Sequence, residues 1–107
     1  MVRLAEVRMF VTLERLINLH DDYRQVFNVA GHQLLLIVVE GEPRLVENRC
    51  PHQGAPLARA TLSGTVLRCP RHGARFDVTN GRALDPSFNE LAVYPLVYDG
   101  DRIGVEV

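Results

Sequence analysis

Lysine and tryptophan are absent from this 107-residue chain, cysteine occurs only twice, and no apolar stretch reaches membrane-spanning length. All basic residues are therefore arginines, a bias to which no function is attached. Two cysteines are too few for the multiple bridges that hold small secreted scaffolds together. The first twenty residues contain Arg3, Glu6, Arg8, Glu14 and Arg15, which interrupt both the apolar core of a signal peptide and the run of about 20 residues a membrane span requires. A soluble cytoplasmic protein with no membrane association is expected. In that reducing compartment the cysteines read as metal ligands or catalytic thiols rather than as a disulfide. The apolar share of 47% is enough for one domain over residues 1–107, burying roughly two thirds of its unfolded surface. A monomer is expected, with no nucleic-acid partner.

The net charge of -1 hides an uneven distribution. Residues 1–48 hold five arginines against seven acids, residues 49–82 hold six arginines against Asp77 alone, and residues 83–107 hold Arg102 against five acids. The middle segment is thus near +5 and the remainder near -6. One consequence would be an electropositive end that meets an acidic partner; the other is a solvated surface whose charges cancel in three dimensions.

Strands and turns dominate the pattern. "YRQVFNV" and "QLLLIVV" flank Ala30-Gly31-His32, and Gly41-Glu42-Pro43 then leads into "RLVEN", which predicts a three-stranded antiparallel meander. "TVLRC" and Phe76-Asp77-Val78 read as short strands, the latter followed by a turn at Asn80-Gly81. "ELAVYPLVY" and "RIGVEV" flank a last hairpin at Asp99-Gly100-Asp101, and a further strand is expected from about Val7 to Leu13, followed by a short turn. The fold class is all-β: a small antiparallel sandwich or barrel with two loops inserted at one end. Phe76, Tyr94 and Tyr98 are expected in the core or at its edge.

Those loops are "CPHQGAPL", residues 50–57, and "CPRHGARF", residues 69–76. Their Cys-x-His and Cys-x-x-His pairs, sixteen residues apart, resemble the ligand loops of Rieske 2Fe-2S proteins. The resemblance runs from about Tyr23 to Val107 and is sharpest at Cys50, His52, Cys69 and His72 and at the following Gly54 and Gly73. It implies one 2Fe-2S cluster, with Cys50 and Cys69 on the inner iron and His52 and His72 on the outer. Two thiolates bring the oxidised centre to neutrality where four would leave it dianionic, so an electron is added more easily. Potentials of such centres run from roughly -150 to +300 mV, against about -400 mV for plant-type ferredoxins. The glycines would let main-chain amides approach the sulfurs, Pro51 and Pro70 would stiffen the loops, and Pro86 would lie on a third loop over the cluster.

High-potential members of that family carry an additional cysteine in each loop and hydroxyl donors to the cluster. Here the corresponding neighbours are Gln53 to Ala55, Arg71, Ala74 and Phe76, which places the expected potential at about -150 to 0 mV. Family oxygenases also need a second iron on two histidines and a carboxylate. Only His20 and His32 remain, both read as surface residues. The resemblance therefore implies an electron carrier, not an enzyme: a ferredoxin reduced by a flavin-dependent NAD(P)H reductase and oxidised by a terminal oxygenase. Docking would use the tip bearing His52 and His72, with Arg49, Arg68, Arg71 and Arg75 as contacts. The rivals are a nitrite-reductase-like small subunit, which the intact ligand set opposes; a structural Cys2His2 zinc module, for which Cys-x-His is too tight a pair; and a thiol enzyme, which leaves the second loop unexplained.

Overall fold

A computed structural model describes residues 9–51, 54–71, 73–85 and 89–107, so the start expected at Val7 lies outside the described residues. Among the described residues ten strands follow one another: β1 (Phe10–Arg15), β2 (Arg24–Val29), β3 (His32–Val39), β4 (Glu42–Glu47), β5 (Thr61–Ser63), β6 (Val66–Arg68), β7 (Arg75–Asp77), β8 (Val93–Tyr94), β9 (Val97–Asp99) and β10 (Arg102–Glu106). A 3-10 turn, Leu16–Asn18, follows β1. All described pairings are antiparallel and form three sheets, ordered β1-β10-β9, β2-β3-β4-β8 and β5-β6-β7. The all-β expectation is met.

The four-stranded sheet is the middle layer, and β3 shows why. Its residues Leu34 to Val39 are all buried, yet they serve two cores in alternation. Leu35, Ile37 and Val39 pack with Cys50, Leu57, Leu67, Cys69 and Phe76, whereas Leu34, Leu36 and Val38 pack with Tyr94, Ile103 and Val105. Successive side chains of a strand point to opposite faces, so an unbroken apolar run is what a strand covered on both sides requires. One face of this sheet carries the β1-β10-β9 layer and the other the β5-β6-β7 layer with its loops.

Several boundaries differ from expectation. The hairpin between β3 and β4 turns at Glu40-Gly41, both with positive φ, so that Val39 pairs with Glu42, and Pro43 lies within β4 opposite Val38. The β2-β3 hairpin turns in the same way at Ala30-Gly31, the two-residue geometry whose twist suits paired strands. The run "ELAVYPLVY" breaks around Pro95, because β8 joins the middle sheet and β9 the outer one. Phe76 and Tyr94 are core residues as expected, while Tyr98 is 57% exposed at an edge.

Polar contacts fasten the layers. On the middle sheet, Ile37 stands between Arg24 and Arg44 on the face toward the cysteine loops. The Arg24 Nη1 donates to the carbonyls of Ala58 and Ala60 at 3.0 and 2.6 Å, tying β2 to the chain just beyond the first loop. On the opposite side of the molecule the Tyr23 hydroxyl donates to Glu14 Oε2 at 2.7 Å. Burial and that carboxylate raise the phenol's pKa, and hydrogen bonds from Asn18, Tyr23 and the Arg15 amide lower that of Glu14.

Candidate metal centre

The first cysteine loop connects β4 to β5 and the second connects β6 to β7, and their backbones close in the same way. In the first, Cys50 N donates to Ala55 O at 2.7 Å and Gly54 N to Cys50 O at 2.7 Å. In the second, Cys69 N donates to Ala74 O at 2.7 Å and Gly73 N to Cys69 O at 3.0 Å. Each cysteine therefore sits at the mouth of a short turn that fixes where its sulfur points. Cys50 and Cys69 are 0% and 1% exposed, neither is in a disulfide, and both belong to one buried cluster with Ala55, Ala74, Leu57 and Phe76. The fold thus brings together two thiols that lie nineteen positions apart in the chain.

Gly54 and Gly73 adopt φ of 74° and 69°, the left-handed region in which a side chain is strained. Their amides close the turns on the carbonyls of Cys50 and Cys69, and their missing side chains leave room for a cation. A methyl at Gly54 would lie 3.1 Å from Arg49 Nε, and one at Gly73 would lie 3.3 Å from Arg68 Nε. In both loops, then, the arginine just before the cysteine folds across the glycine four residues after that cysteine.

The loops are anchored differently. Before Arg68 stands Leu67, fully buried, whereas before Arg49 stands Asn48, buried and polar. Asn48 Oδ1 accepts from Leu57 N at 2.9 Å, its Nδ2 donates to Gln33 Oε1 at 2.8 Å, and its amide donates to Gln33 O at 2.8 Å. This residue, which the sequence reading did not single out, pins the first loop to the start of β3. Asn48→Leu, which copies the second loop's apolar anchor, would orphan the buried Leu57 amide at a cost of about 1–3 kcal/mol. Thermal denaturation should show the loss, and the bleaching rate of visible absorption should rise with it; an unchanged midpoint would show that Asn48 is dispensable.

His52, His72 and Pro86 lie outside the described residues, as does Gln53. His20 is exposed, as expected. His32 is half-buried, with its Nδ1 3.4 Å from Glu47 Oε2, to which the Tyr94 hydroxyl donates at 2.6 Å. Burial, then the Glu47 carboxylate, push the Tyr94 phenol pKa upward, so this group holds β3, β4 and β8 together as a neutral donor. Among the described residues no cluster of three His, Cys, Asp or Glu side chains offers a competing metal site.

The donor chemistry fits an iron-sulfur centre. Two buried thiols, each held by an identically bonded turn, supply soft ligands in the number that a mixed cysteine and histidine set requires.

Known proteins agree with this reading. The family model of the Rieske 2Fe-2S domain matches residues 9–95. The ferredoxin component of the naphthalene 1,2-dioxygenase system of Pseudomonas aeruginosa is 38% identical over 80 residues, covering 74% of this chain and 77% of that one. The ferredoxin component of the alkene monooxygenase system of Xanthobacter autotrophicus is 33% identical over 87 residues, 80% of this chain and 71% of the other. In three dimensions, the ferredoxin of carbazole 1,9a-dioxygenase from Nocardioides aromaticivorans superposes with a TM-score of 0.79 at 26% identity, covering 90% of this chain and 95% of that one. An iron-sulfur family displaces the zinc module and the thiol enzyme. Matched over most of its length and built around the two cysteine turns, the chain belongs to the Rieske 2Fe-2S family.

Proposed function

We propose that this protein is a one-electron carrier, a Rieske ferredoxin that accepts electrons from a flavin-dependent NAD(P)H reductase and delivers them to a terminal oxygenase. The observation that carries the reading is the pair of matching turns that hold Cys50 and Cys69 in one buried pocket beneath the surface. When bound, a 2Fe-2S cluster supplies a reversible one-electron couple. In this reading Cys50 and Cys69 hold the inner iron and His52 and His72 the outer, the whole chain forms one domain, and the protein works as a cytoplasmic monomer. Among the described residues no helix is long and apolar enough to cross a membrane.

The chain's own contribution is to fix and shield. The buried thiols and the surrounding Leu57, Leu67 and Phe76 exclude water from the inner side, which limits rearrangement as charge changes. The tight turns hold the ligands in one geometry for both oxidation states. The relatives named for dioxygenase and monooxygenase systems support an oxygenase as the electron's destination.

Two measurements test this. Protein isolated without oxygen should contain two irons and two acid-labile sulfides per chain, and after dithionite reduction should give a paramagnetic signal whose nitrogen couplings, read by pulsed resonance, change when its histidines are labelled with nitrogen-15. Absence of inorganic sulfide would end the proposal. The potential should lie at about -150 to 0 mV, since Ala74 and Phe76 stand where hydroxyl donors would raise it. A value above about +200 mV, well inside the family's upper range, would contradict that placement.

A further inference from the structure

The small β5-β6-β7 sheet has an inner face of Leu62, Leu67 and Phe76 and an outer face open to solvent. Thr61 pairs with Arg68 and Arg68 pairs with Arg75, so these three side chains stand side by side on the outer face. Like charges on directly opposed residues of a strand pair repel, and the arrangement lowers stability unless an acid lies between them; Arg68 carries its guanidinium over Gly73 and Arg75 stands on the neighbouring strand. No carboxylate of the described residues forms an ion pair with Arg68, Arg71 or Arg75. Asp77, the one acid of residues 49–82, is engaged elsewhere: its Oδ1 accepts from Thr79 N at 3.0 Å and Thr79 Oγ1 at 2.6 Å, which lowers its pKa.

The molecule contains its own contrast. Arg15 and Arg102 are also directly opposed, on β1 and β10, but Asp101 lies between them, 3.6 Å from Arg15 Nη2 and 3.9 Å from Arg102 Nε. One opposed arginine pair is neutralised within the chain, and the other has no carboxylate partner among the described residues. This second pair borders the metal centre, because Arg68, Arg71 and Thr61 line a shallow depression together with Cys69, Pro70 and Gly73.

We infer that the outer face of β5-β6-β7 is the docking surface for the electron-accepting partner, and that this partner presents carboxylates which meet Arg75 and Arg68 and reach the depression beside Cys69. The inference rests on the electron-carrier reading and specifies its contact. Local positive charge unmatched at home is the feature that a negatively charged surface completes, and it speeds productive encounter. A site that breaks a local stability rule without internal compensation is where function is to be sought.

The test uses one redox protein in two charge forms, native cytochrome c, rich in lysine, and the same protein succinylated so that its lysines carry carboxylates. Reduced holoprotein should transfer electrons to the succinylated form faster at low ionic strength, with the advantage shrinking as salt rises. Arg68→Gln with Arg75→Gln should slow that reaction at least about fivefold, a modest part of the range that electrostatic steering spans. Arg75→Gln alone, on the strand beyond the second turn, should also slow the reaction and leave the visible spectrum unchanged. Arg15→Gln with Arg102→Gln removes the same formal charge from the opposite layer and should change the rate less than twofold. Equal slowing by both double variants, or no preference for the succinylated acceptor, would overturn the docking face while a sulfide-containing preparation leaves the carrier reading standing. A preparation without sulfide would sink both.

Discussion

Cys69→Ser is expected to give a colourless protein, free of inorganic sulfide, in which two of the three layers remain folded. Iron in these clusters is held by soft thiolates, and a serine hydroxyl is a hard, largely protonated substitute. The same substitution places a hydroxyl among Leu57, Leu67 and Phe76, where an unsatisfied polar group costs about 1–3 kcal/mol. Both effects strike the β5-β6-β7 layer and its loops. The other core, built from Leu34, Leu36, Leu45, Tyr94, Ile103 and Val105, contains no cysteine. Hydrogen exchange should therefore show lost protection over residues 54–78 and retained protection in β3 and β10. Cys50→Ser should behave alike. A variant that kept its visible spectrum would remove that cysteine from the ligand set, and uniform loss of protection would show that the two cores do not fold separately.

Gly81→Ala should be the most damaging single methyl in the described chain outside the centre, together with one at Gly104. Gly81 has φ of 78°, and an added Cβ would run into the carbonyl oxygen of Leu91 and lie 3.0 Å from the Val93 side chain. Backbone is what blocks it, and that backbone is held, since Leu91 N donates to Gly81 O at 2.7 Å. Left-handed strain of about 1–3 kcal/mol adds to overpacking of about 1–3 kcal/mol. The sum, roughly 2–6 kcal/mol, is a large share of the about 5–15 kcal/mol that holds a domain folded. Gly100→Ala is the control, because its φ is also positive, 59°, but nothing lies within 4 Å of the added atom. Thermal midpoints of the two holoproteins should differ, the Gly81 variant falling at least about 8 °C in Tm, since each kcal/mol moves a domain of this size by about 4–8 °C. Equal midpoints would mean that the segment carrying Leu91 yields freely.

Much of this molecule can be read from its residues, and the failures have physical causes. The continuous run in β3 announces a buried strand, and the Cys-x-His and Cys-x-x-His pairs announce the family; of the four proposed ligands, Cys50 and Cys69 meet in one buried cluster and the histidines lie outside the described residues. The turn expected over Gly41-Glu42-Pro43 forms at Glu40-Gly41, one residue earlier at its start and two at its end, because Pro43 reads as a turn former whereas strand pairing decides its position. The strand Thr61–Ser63 is too short to leave a pattern, and it turns an expected insertion into a sheet with its own outer face. The anchoring by Asn48 and the folding of Arg49 and Arg68 across glycines depend on contacts between chain segments that no local pattern encodes. The repeated Arg-Cys-Pro at positions 49–51 and 68–70 was the available hint of the latter.

An ordinary half-buried strand is kept in place by the contrast between its greasy and its wet side, for a slip of one residue would turn the wrong set outward. Leu34 to Val39 lack that safeguard, since either set would satisfy either layer by hydrophobicity alone. Alignment must then be enforced from the strand's two extremities: by the positive-φ corners at Ala30-Gly31 and Glu40-Gly41, and by Asn48 gripping Gln33. The same asparagine clasp that steadies the first metal loop thus also serves as a stop against sliding in the central strand.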